Sequence, residues 1–315
     1  MRRPGGLGWG LLAGLAGALL YLPAGLAAAA GAAGTSMPSL TIPLDARAVG
    51  MGSAYTAVAS GADSLEWNPA GMDQLRAAQA EAGHLSWVQD VNDEYLDVAF
   101  PLYGLGAWGL GTSYLYTQDT YYSDLNVQGS TFTDFDFSAE VAFSLQIGDS
   151  QNLGLEYKIL RQGYASQFDM GSCFDLGYQW RDVLQGFDFG AAALNLGTPL
   201  SLGSAKNALP ITVKVGAAER LTPLITLAVD EEYQPIDSFN FVHAGLEVGT
   251  QLGPMTPMAR VGYILGPADQ ADGGITGLTA GLGLAVGAWQ VDYAYAPQGD
   301  LGMAQRLTLT WNAGD

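Results

Sequence analysis

The sequence predicts an all-β protein: a transmembrane antiparallel β-barrel of about fourteen strands, with an N-terminal hatch inside the lumen. Apolar residues alternate with small or polar residues in many runs, and several runs have about ten residues, the length of a tilted membrane-spanning strand. The alternate positions carry Gly, Ala, Ser and isolated charges, which suit a narrow lumen. Residues 45–72 are rich in small residues, as expected of backbone threaded through a tight space.

The alternation is clearest in four stretches of the chain. Apolar side chains occupy every second position in 141–147, 153–159, 213–217 and 307–311. A period of two indicates β-strands with one apolar face. In a soluble sandwich the other face would carry many Lys, Glu and Thr residues, so the pattern favours a barrel. A soluble β-protein with an aromatic core is the alternative.

Counting these runs gives fourteen strands, an even number as in single-chain bacterial outer-membrane barrels. The strands are expected near residues 78–88, 93–102, 106–118, 134–147, 150–162, 169–181, 185–196, 208–221, 222–232, 239–250, 256–264, 276–287, 288–296 and 303–312. The longer polar stretches 117–133 and 265–275 are expected to be external loops.

Aromatic residues gather near the ends of these runs, as in the girdles that membrane barrels place at both lipid interfaces. They are Trp87, Tyr95, Phe100, Tyr103, Tyr116, Trp180, Trp289, Tyr293, Tyr295 and Trp311. We therefore expect these side chains to lie on the outer face of the barrel.

Residues 1–30 are predicted to be a cleaved secretory signal peptide. Arg2 and Arg3 precede an apolar run over 7–26, and the small residues at 27–31 offer cleavage sites. An uncleaved anchor is the alternative, because residues 7–30 are just long enough to span a bilayer. Removal of the signal leaves a hatch segment over residues 31–76 and a barrel over residues 77–315.

Composition excludes several classes of function. The formal net charge of −19 disfavours nucleic acid, whose phosphates would be repelled. Cys173 is the only cysteine, so no disulfide framework is expected. The two histidines, His84 and His243, lie in no HExxH motif, and the chain has no GxSxG element. We therefore predict a non-enzyme that holds no metal and no cofactor.

Several motifs give the chain a family resemblance. ARAVGMGSAYTA, WNPAG and YAPQGDLG occur in that order, and strands such as NLGLEYKILRQ and LPITVKVGAAERL accompany them. From about Pro43 to Trp311 the chain resembles the PorV/PorQ family, which is itself similar to FadL-type outer-membrane transporters. The resemblance implies a fourteen-stranded barrel in the outer membrane of a Gram-negative-type bacterium. One departure is the end of the chain, where four residues follow Trp311, although such barrels commonly end on an aromatic residue.

The resemblance also gives the hatch a role. In the FadL-type relatives an NPA element belongs to the hatch that obstructs the lumen. This implies a hatch or gating role for six residues here: Asn68, Pro69, Ala70, Gly50, Met51 and Gly52. The alternative is that they only seat the N-terminal segment against the barrel wall.

Charged residues on the strands form a second set of candidates. Ionisable groups inside a barrel at membrane depth need partners or water. The expected lumen charges are Glu140, Glu156, Lys158, Arg161, Arg260 and Arg306. They are expected either to line a polar path or to hold the hatch by ion pairs.

Three functions are compatible with these features. The first is passive transport of hydrophobic or amphipathic small molecules through a hatch-gated barrel, as in the FadL-type relatives. The second, implied by PorV, is a membrane platform that receives cargo proteins or supports a secretion system. The third is a structural barrel without cargo. The expected partners are outer-membrane lipids, together with a hydrophobic small-molecule ligand or with secretion-system or cargo proteins.

Overall fold

A closed β-barrel surrounds the N-terminal part of the chain in a computed structural model that describes residues 34–122, 128–183, 186–202, 205–266, 277–298 and 302–314. The predicted signal peptide lies outside the described residues. The strands are β1 (Gln79–Ser86), β2 (Asn92–Leu102), β3 (Gly106–Tyr122), β4 (Gln128–Gly148), β5 (Gln151–Tyr164), β6 (Gln167–Trp180), β7 (Phe187–Gly197), β8 (Leu200–Leu202), β9 (Ala205–Asn207), β10 (Thr212–Thr222), β11 (Ile225–Gln234), β12 (Phe239–Gly249), β13 (Met255–Leu265), β14 (Leu278–Val286), β15 (Trp289–Pro297) and β16 (Met303–Asn312).

The barrel contains fourteen of these strands, all antiparallel to their neighbours, which confirms the predicted fold class. β8 and β9 form a separate two-stranded hairpin, and β7 pairs with β10 across it. β1 pairs with β16, so that Glu81 lies opposite Thr310 and the sheet closes. Because closure pairs the two edge strands, no long unpaired edge remains.

The two ends of the barrel differ in their connections. We call the end that holds the start of β1 and the end of β16 the terminal end; its turns are short, as at 149–150 and 287–288. We call the opposite end the loop end; it carries the β8–β9 hairpin and the interval 266–277 between β13 and β14. Short turns on one side and longer loops on the other are typical of outer-membrane barrels.

The stretch 117–133, expected as a loop, is mostly strand, so that prediction was wrong. β3 continues to Tyr122 and β4 begins at Gln128, with Gln118 paired to Thr133. Seven of the twelve strand residues in this stretch are Thr, Tyr or Phe, which favour strands even where the hydrophobic alternation is lost. Of the other expected loop, residues 267–275 lie outside the described part of the chain.

The outward face of the strands is apolar, and tryptophans surround it at the terminal end. Trp108, Trp180, Trp289 and Trp311 all lie on this outer face near that end. Tyr95 was expected among the outer aromatics, but it points into the lumen and is buried. The reason is parity, because alternate residues of β2 face opposite sides of the sheet.

The described part of the hatch, residues 34–76, fills the lumen. It begins at the loop end, where the Ser36 amide donates to the Ala208 carbonyl at 2.8 Å, and it reaches the terminal end before β1. Its short helices are the α-helices Ala46–Gly50 and Ser64–Trp67 and the 3₁₀ helices Pro38–Thr41, Gly61–Asp63 and Pro69–Gln74. Within the described residues, no helix is both long and apolar enough to span a membrane.

Hatch side chains form the apolar core of the barrel. Tyr55, Leu65 and Trp67 are fully buried, and the rings of Tyr55 and Trp67 meet edge to face at 5.7 Å. Small residues around them allow short irregular turns to stack closely. The core of this protein therefore lies inside the lumen rather than between two sheets.

Glycines on the inner wall let the hatch approach the strands. A methyl group added at Gly154 would collide with the backbone of Pro69 and Ala70, and one added at Gly262 would collide with the backbone of Gly52. The small residues on the lumen face of the strands therefore have a steric role: they leave room for backbone.

Gly154→Ala tests this steric role. We expect it to lower the free energy of unfolding by about 1–3 kcal/mol, the usual cost of overpacking, and to increase proteolytic cutting within the hatch. Gly148→Ala is the matched control, because its added methyl would make only ordinary contacts of 3.6 Å or longer. Thermal unfolding and limited proteolysis of both variants measure the effect. Equal behaviour of the two variants would contradict the steric role.

Candidate functional site: the hatch and the lumen wall

The predicted NPA element lies against the barrel wall. The Asn68 amide donates to the carbonyl oxygens of Thr56 at 2.9 Å and of Tyr178, in β6, at 3.0 Å. Its Oδ1 accepts from the Ala70 amide at 3.3 Å, and the Ala70 carbonyl accepts from Ser144 Oγ, in β4, at 3.1 Å. Pro69 begins the 3₁₀ helix that follows. The element thus links two turns of the hatch to two wall strands.

Gly50, Met51 and Gly52 lie on the opposite side of the lumen. A methyl group at Gly50 would be 3.0 Å from the Gly281 Cα atom, so hatch and β14 touch there through backbone. Gly52 has a φ of +67°, and its carbonyl accepts from His243 Nδ1 at 2.8 Å. Met51 is fully buried. These three residues therefore form a close backbone contact with β12, β13 and β14.

Four charged residues, which we call the arginine cluster, join the hatch to the wall: Arg47, Glu247, Arg260 and Asp292. Arg47 donates from Nε and Nη2 to the Glu247 carboxylate, each at 2.9 Å. Arg260 donates to Glu247 and to Asp292, each at 2.6 Å. Glu247 thus accepts from one hatch guanidinium and one wall guanidinium. Paired guanidinium donors of this kind are among the stronger hydrogen bonds in proteins.

A second group, the lysine cluster, lies entirely on the wall. Lys158 Nζ is 3.0 Å from Asp175, 3.2 Å from Glu156 and 3.7 Å from Glu140. All four side chains are buried or nearly so. The structure therefore brings three of the predicted lumen charges together on β4 and β5, and adds Asp175 from β6.

The remaining three predicted charges lie elsewhere. Arg260 belongs to the arginine cluster, and Arg306 donates from Nε to the Pro43 carbonyl at 2.6 Å. Arg161 does not face the lumen, so its prediction as a lumen charge was wrong. Residues 156 and 158 of β5 face inward, so residue 161, at an odd separation, must face outward.

Several functional contacts were missed by the sequence analysis. Asp230 Oδ2 accepts from the amides of Tyr55 and Thr56 at 2.8 and 2.7 Å. Lys214 Nζ lies 4.4 Å above the Trp67 ring and 2.9 Å from Glu232. A usable signal existed, because Asp230 and Glu232 share one parity of β11, opposite to that of the apolar Ile225, Leu227 and Val229.

At the terminal end, Arg181 binds the hatch from the β6–β7 turn. Its Nη2 donates to the Ala59 carbonyl at 2.8 Å, and its Nη1 lies 3.4 Å from Asp188. Burial lowers the pKa of Arg181 to about 10, which the nearby Asp188 carboxylate opposes. The guanidinium therefore stays charged at neutral pH and holds the hatch at Ala59, near the terminal end.

A small cavity of about 70 Å³ lies between hatch residues 39–44 and the wall. Leu40, Ile42, Leu44, Trp67 and Leu194 supply its apolar lining. The charged lining comes from Glu66, Asp97, Glu140, Lys158, Lys214 and Glu232. The described residues contain no group of three His, Cys, Asp or Glu side chains arranged to hold a metal. The lining of this small space is therefore both apolar and charged, which suits contact with a molecule that has apolar and polar parts.

The comparisons with known proteins agree with this architecture. A FadL homologue from Pseudomonas aeruginosa aligns with a TM-score of 0.61 at 12% identity, over 89% of this chain and 100% of that one. The monoaromatic hydrocarbon channel CymD gives 0.57 at 11% identity, over 85% and 97%. The Pseudomonas putida toluene transporter TodX gives 0.54 at 12% identity, over 84% and 95%. No family model and no curated protein matches the sequence. At such low identity these likenesses show a FadL-like barrel fold.

Glu247→Gln tests the arginine cluster. The change leaves the buried Arg260 guanidinium and the partly buried Arg47 guanidinium without their shared carboxylate. We expect the free energy of unfolding to fall by about 3–5 kcal/mol, the typical cost of breaking a buried ion pair. Glu94→Gln is the control, because its pair with His84 is half exposed and removal should cost about 1 kcal/mol or less. Denaturant unfolding in lipid vesicles measures both, and similar losses would contradict the assignment.

Asn68 variants test how the NPA element is held. Asn68→Ala removes two side-chain hydrogen bonds, one to the Tyr178 carbonyl and one to the Thr56 carbonyl, which keeps its bond from Gln179. At about 0.5–1.5 kcal/mol for each bond, we expect a loss of about 1–3 kcal/mol in the free energy of unfolding. Asn68→Asp should cost more, because a carboxylate would face both carbonyl oxygens. Asn92→Ala, which removes an exposed bond to the Asp90 carbonyl, is the control. The same unfolding assay applies, and an Asp variant as stable as the wild type would refute this account.

Proposed function

We propose that this protein is an outer-membrane barrel that passes small hydrophobic or amphipathic molecules, with the hatch as its gate. The observation that carries the proposal is the mixed cavity between hatch residues 39–44 and the wall. The similarity in fold to channels for monoaromatic hydrocarbons and to a toluene transporter supports it. Movement is passive in this proposal, since nothing in the cavity supplies energy.

The hatch must move for a molecule to pass. Residues 45–65 are almost all buried in the lumen, and wall side chains hold them on several sides. Hatch residues 39–44 have fewer anchors to the wall: Ser39 Oγ donates to Asp136, in β4, at 2.6 Å, and the Pro43 carbonyl accepts from Arg306. We therefore place the first movement in residues 39–44, which border the cavity. Asn68, Pro69 and Ala70 form the fixed base of this gate.

A reversible cross-link tests the gate. Ser39→Cys with Asp136→Cys, in a Cys173→Ala background, replaces two side chains that are joined by a hydrogen bond with two cysteines. Bacterial cells that carry the protein in the outer membrane should take up labelled toluene or a fluorescent long-chain fatty acid severalfold faster than cells without it. Oxidation should reduce uptake to background, and a reductant should restore it.

Each single-cysteine variant is the matched control, because neither can form the cross-link and both should transport under oxidising conditions. The proposal fails if cells with and without the protein take up both probes equally. It also fails if a quantitatively formed cross-link leaves uptake unchanged. A barrel without transport would fit the alternative implied by the PorV/PorQ resemblance, a platform for secreted or cargo proteins.

A further inference from the structure

The lysines and arginines of the described barrel strands face the lumen, with one exception. Among the described strand residues of the barrel, Lys158, Lys214, Arg260 and Arg306 are buried in the lumen. Arg220 pairs at the terminal end with Asp188, a lumen-facing residue, at 2.6 Å. Of the lysines and arginines in the described barrel strands, only Arg161 has its side chain on the outer face.

Two phenylalanine rings hold the Arg161 guanidinium. Its Cζ atom lies 4.7 Å from the centre of the Phe168 ring and 5.5 Å from that of Phe135. Phe135 is itself fixed, because its ring lies over Gly163 and 5.9 Å from the Tyr114 ring. The aromatic faces thus position a planar cation, an attractive arrangement that leaves its N–H edges open.

No carboxylate pairs with Arg161 among the described residues. Asp136 accepts from Ser39 inside the barrel. Asp169 accepts from the amides of Met170 and Ser201, and Asp134 accepts from the Ala165 amide. The acidic residues of the two flanking strands are therefore engaged with other donors, and the described part of the protein gives the cation no counter-ion.

The height of Arg161 along β5 matches the edge of the hydrocarbon core of a bilayer. Between the terminal end and Arg161, the outward side of β5 is formed by Leu153, Leu155, Tyr157 and Ile159. The strand ends three residues beyond Arg161, toward the loop end. Arg161 follows Leu153 by eight residues, and eight residues of a tilted strand span roughly 20 Å along the barrel axis. Measured from Leu153, this height is near the loop-end edge of an apolar band about 25 Å tall. Lipid headgroups begin at that level.

We propose that Arg161, Phe135 and Phe168 form a binding site for the phosphate group of a membrane lipid. A guanidinium presents paired donors that match phosphate oxygens, and the surrounding rings contact the upper part of the acyl chains. The lipid supplies the missing counter-charge, which lowers the cost of a cation on the lipid-facing surface. This site depends on the barrel lying in a bilayer but not on transport.

Native mass spectrometry of the purified barrel in uncharged detergent tests the site. The probes are dimyristoyl phosphatidic acid and the diacylglycerol with the same chains, which lacks the phosphate. Wild-type protein should retain phosphatidic acid in preference to diacylglycerol. Arg161→Gln should weaken phosphatidic acid binding about tenfold or more, as expected for loss of a charge-assisted hydrogen bond. Phe168→Ala should weaken it about two- to fivefold, the range for one cation–π contact.

Arg76→Gln is the charge-matched control, because Arg76 is exposed at the terminal end and should not affect binding. Heat-dependent gel mobility establishes that every variant still forms a barrel. The proposal is overturned if Arg161→Gln retains phosphatidic acid as the wild type does, or if diacylglycerol binds equally well. Displacement of the lipid by millimolar inorganic phosphate would also overturn it, since the ligand would then be free phosphate.

Discussion

The structure depends on one constraint: backbone inside a barrel lumen must have its hydrogen bonds satisfied by the wall. The hatch has only short helices, so many of its amides and carbonyls lack local partners. Wall side chains supply them. Thr308 accepts from the Ala46 amide at 3.0 Å, Asp230 accepts from the Tyr55 and Thr56 amides, and Ser144 donates to the Ala70 carbonyl. The polar residues on the lumen face thus act as partners of the hatch.

The two charge clusters differ in what they join. In the arginine cluster a hatch residue, Arg47, shares Glu247 with a wall residue, Arg260, so the cluster couples two parts of the chain. In the lysine cluster all members are on the wall, and Glu140 and Lys158 border the cavity. One cluster therefore anchors the hatch, while the other shapes the space beside it. The strand charges were expected either to line a polar path or to hold the hatch by ion pairs, and the two clusters divide these positions between them.

The barrel uses its two faces for different surroundings. Inside, small residues and buried charges accommodate backbone, and outside, a largely apolar surface carries a single strand arginine among the described residues. The terminal end is anchored more densely than the loop end, because Arg181 and Gln179 donate to the Ala59 carbonyl and Asn68 donates to the Tyr178 carbonyl of the wall. A hatch held in this way can move at residues 39–44 while its base at residues 68–70 remains fixed. The proposed gate and the proposed lipid site use these separate regions and do not depend on each other.

Local patterns determined much of this architecture. Alternation with a period of two specified the strands, because each strand has one apolar face, and the density of small residues over 45–72 indicated a confined segment. Parity within a strand would also have placed Arg161 outside, had it been applied to that residue. Only the tertiary structure decided which lumen residues meet. Arg47 and Glu247 lie 200 residues apart, and Asp230 reaches Tyr55 across the lumen, because barrel closure and the path of the hatch set these distances. Such contacts leave no periodic trace in one sequence, since they depend on how strands wrap around a segment that has no regular pattern of its own.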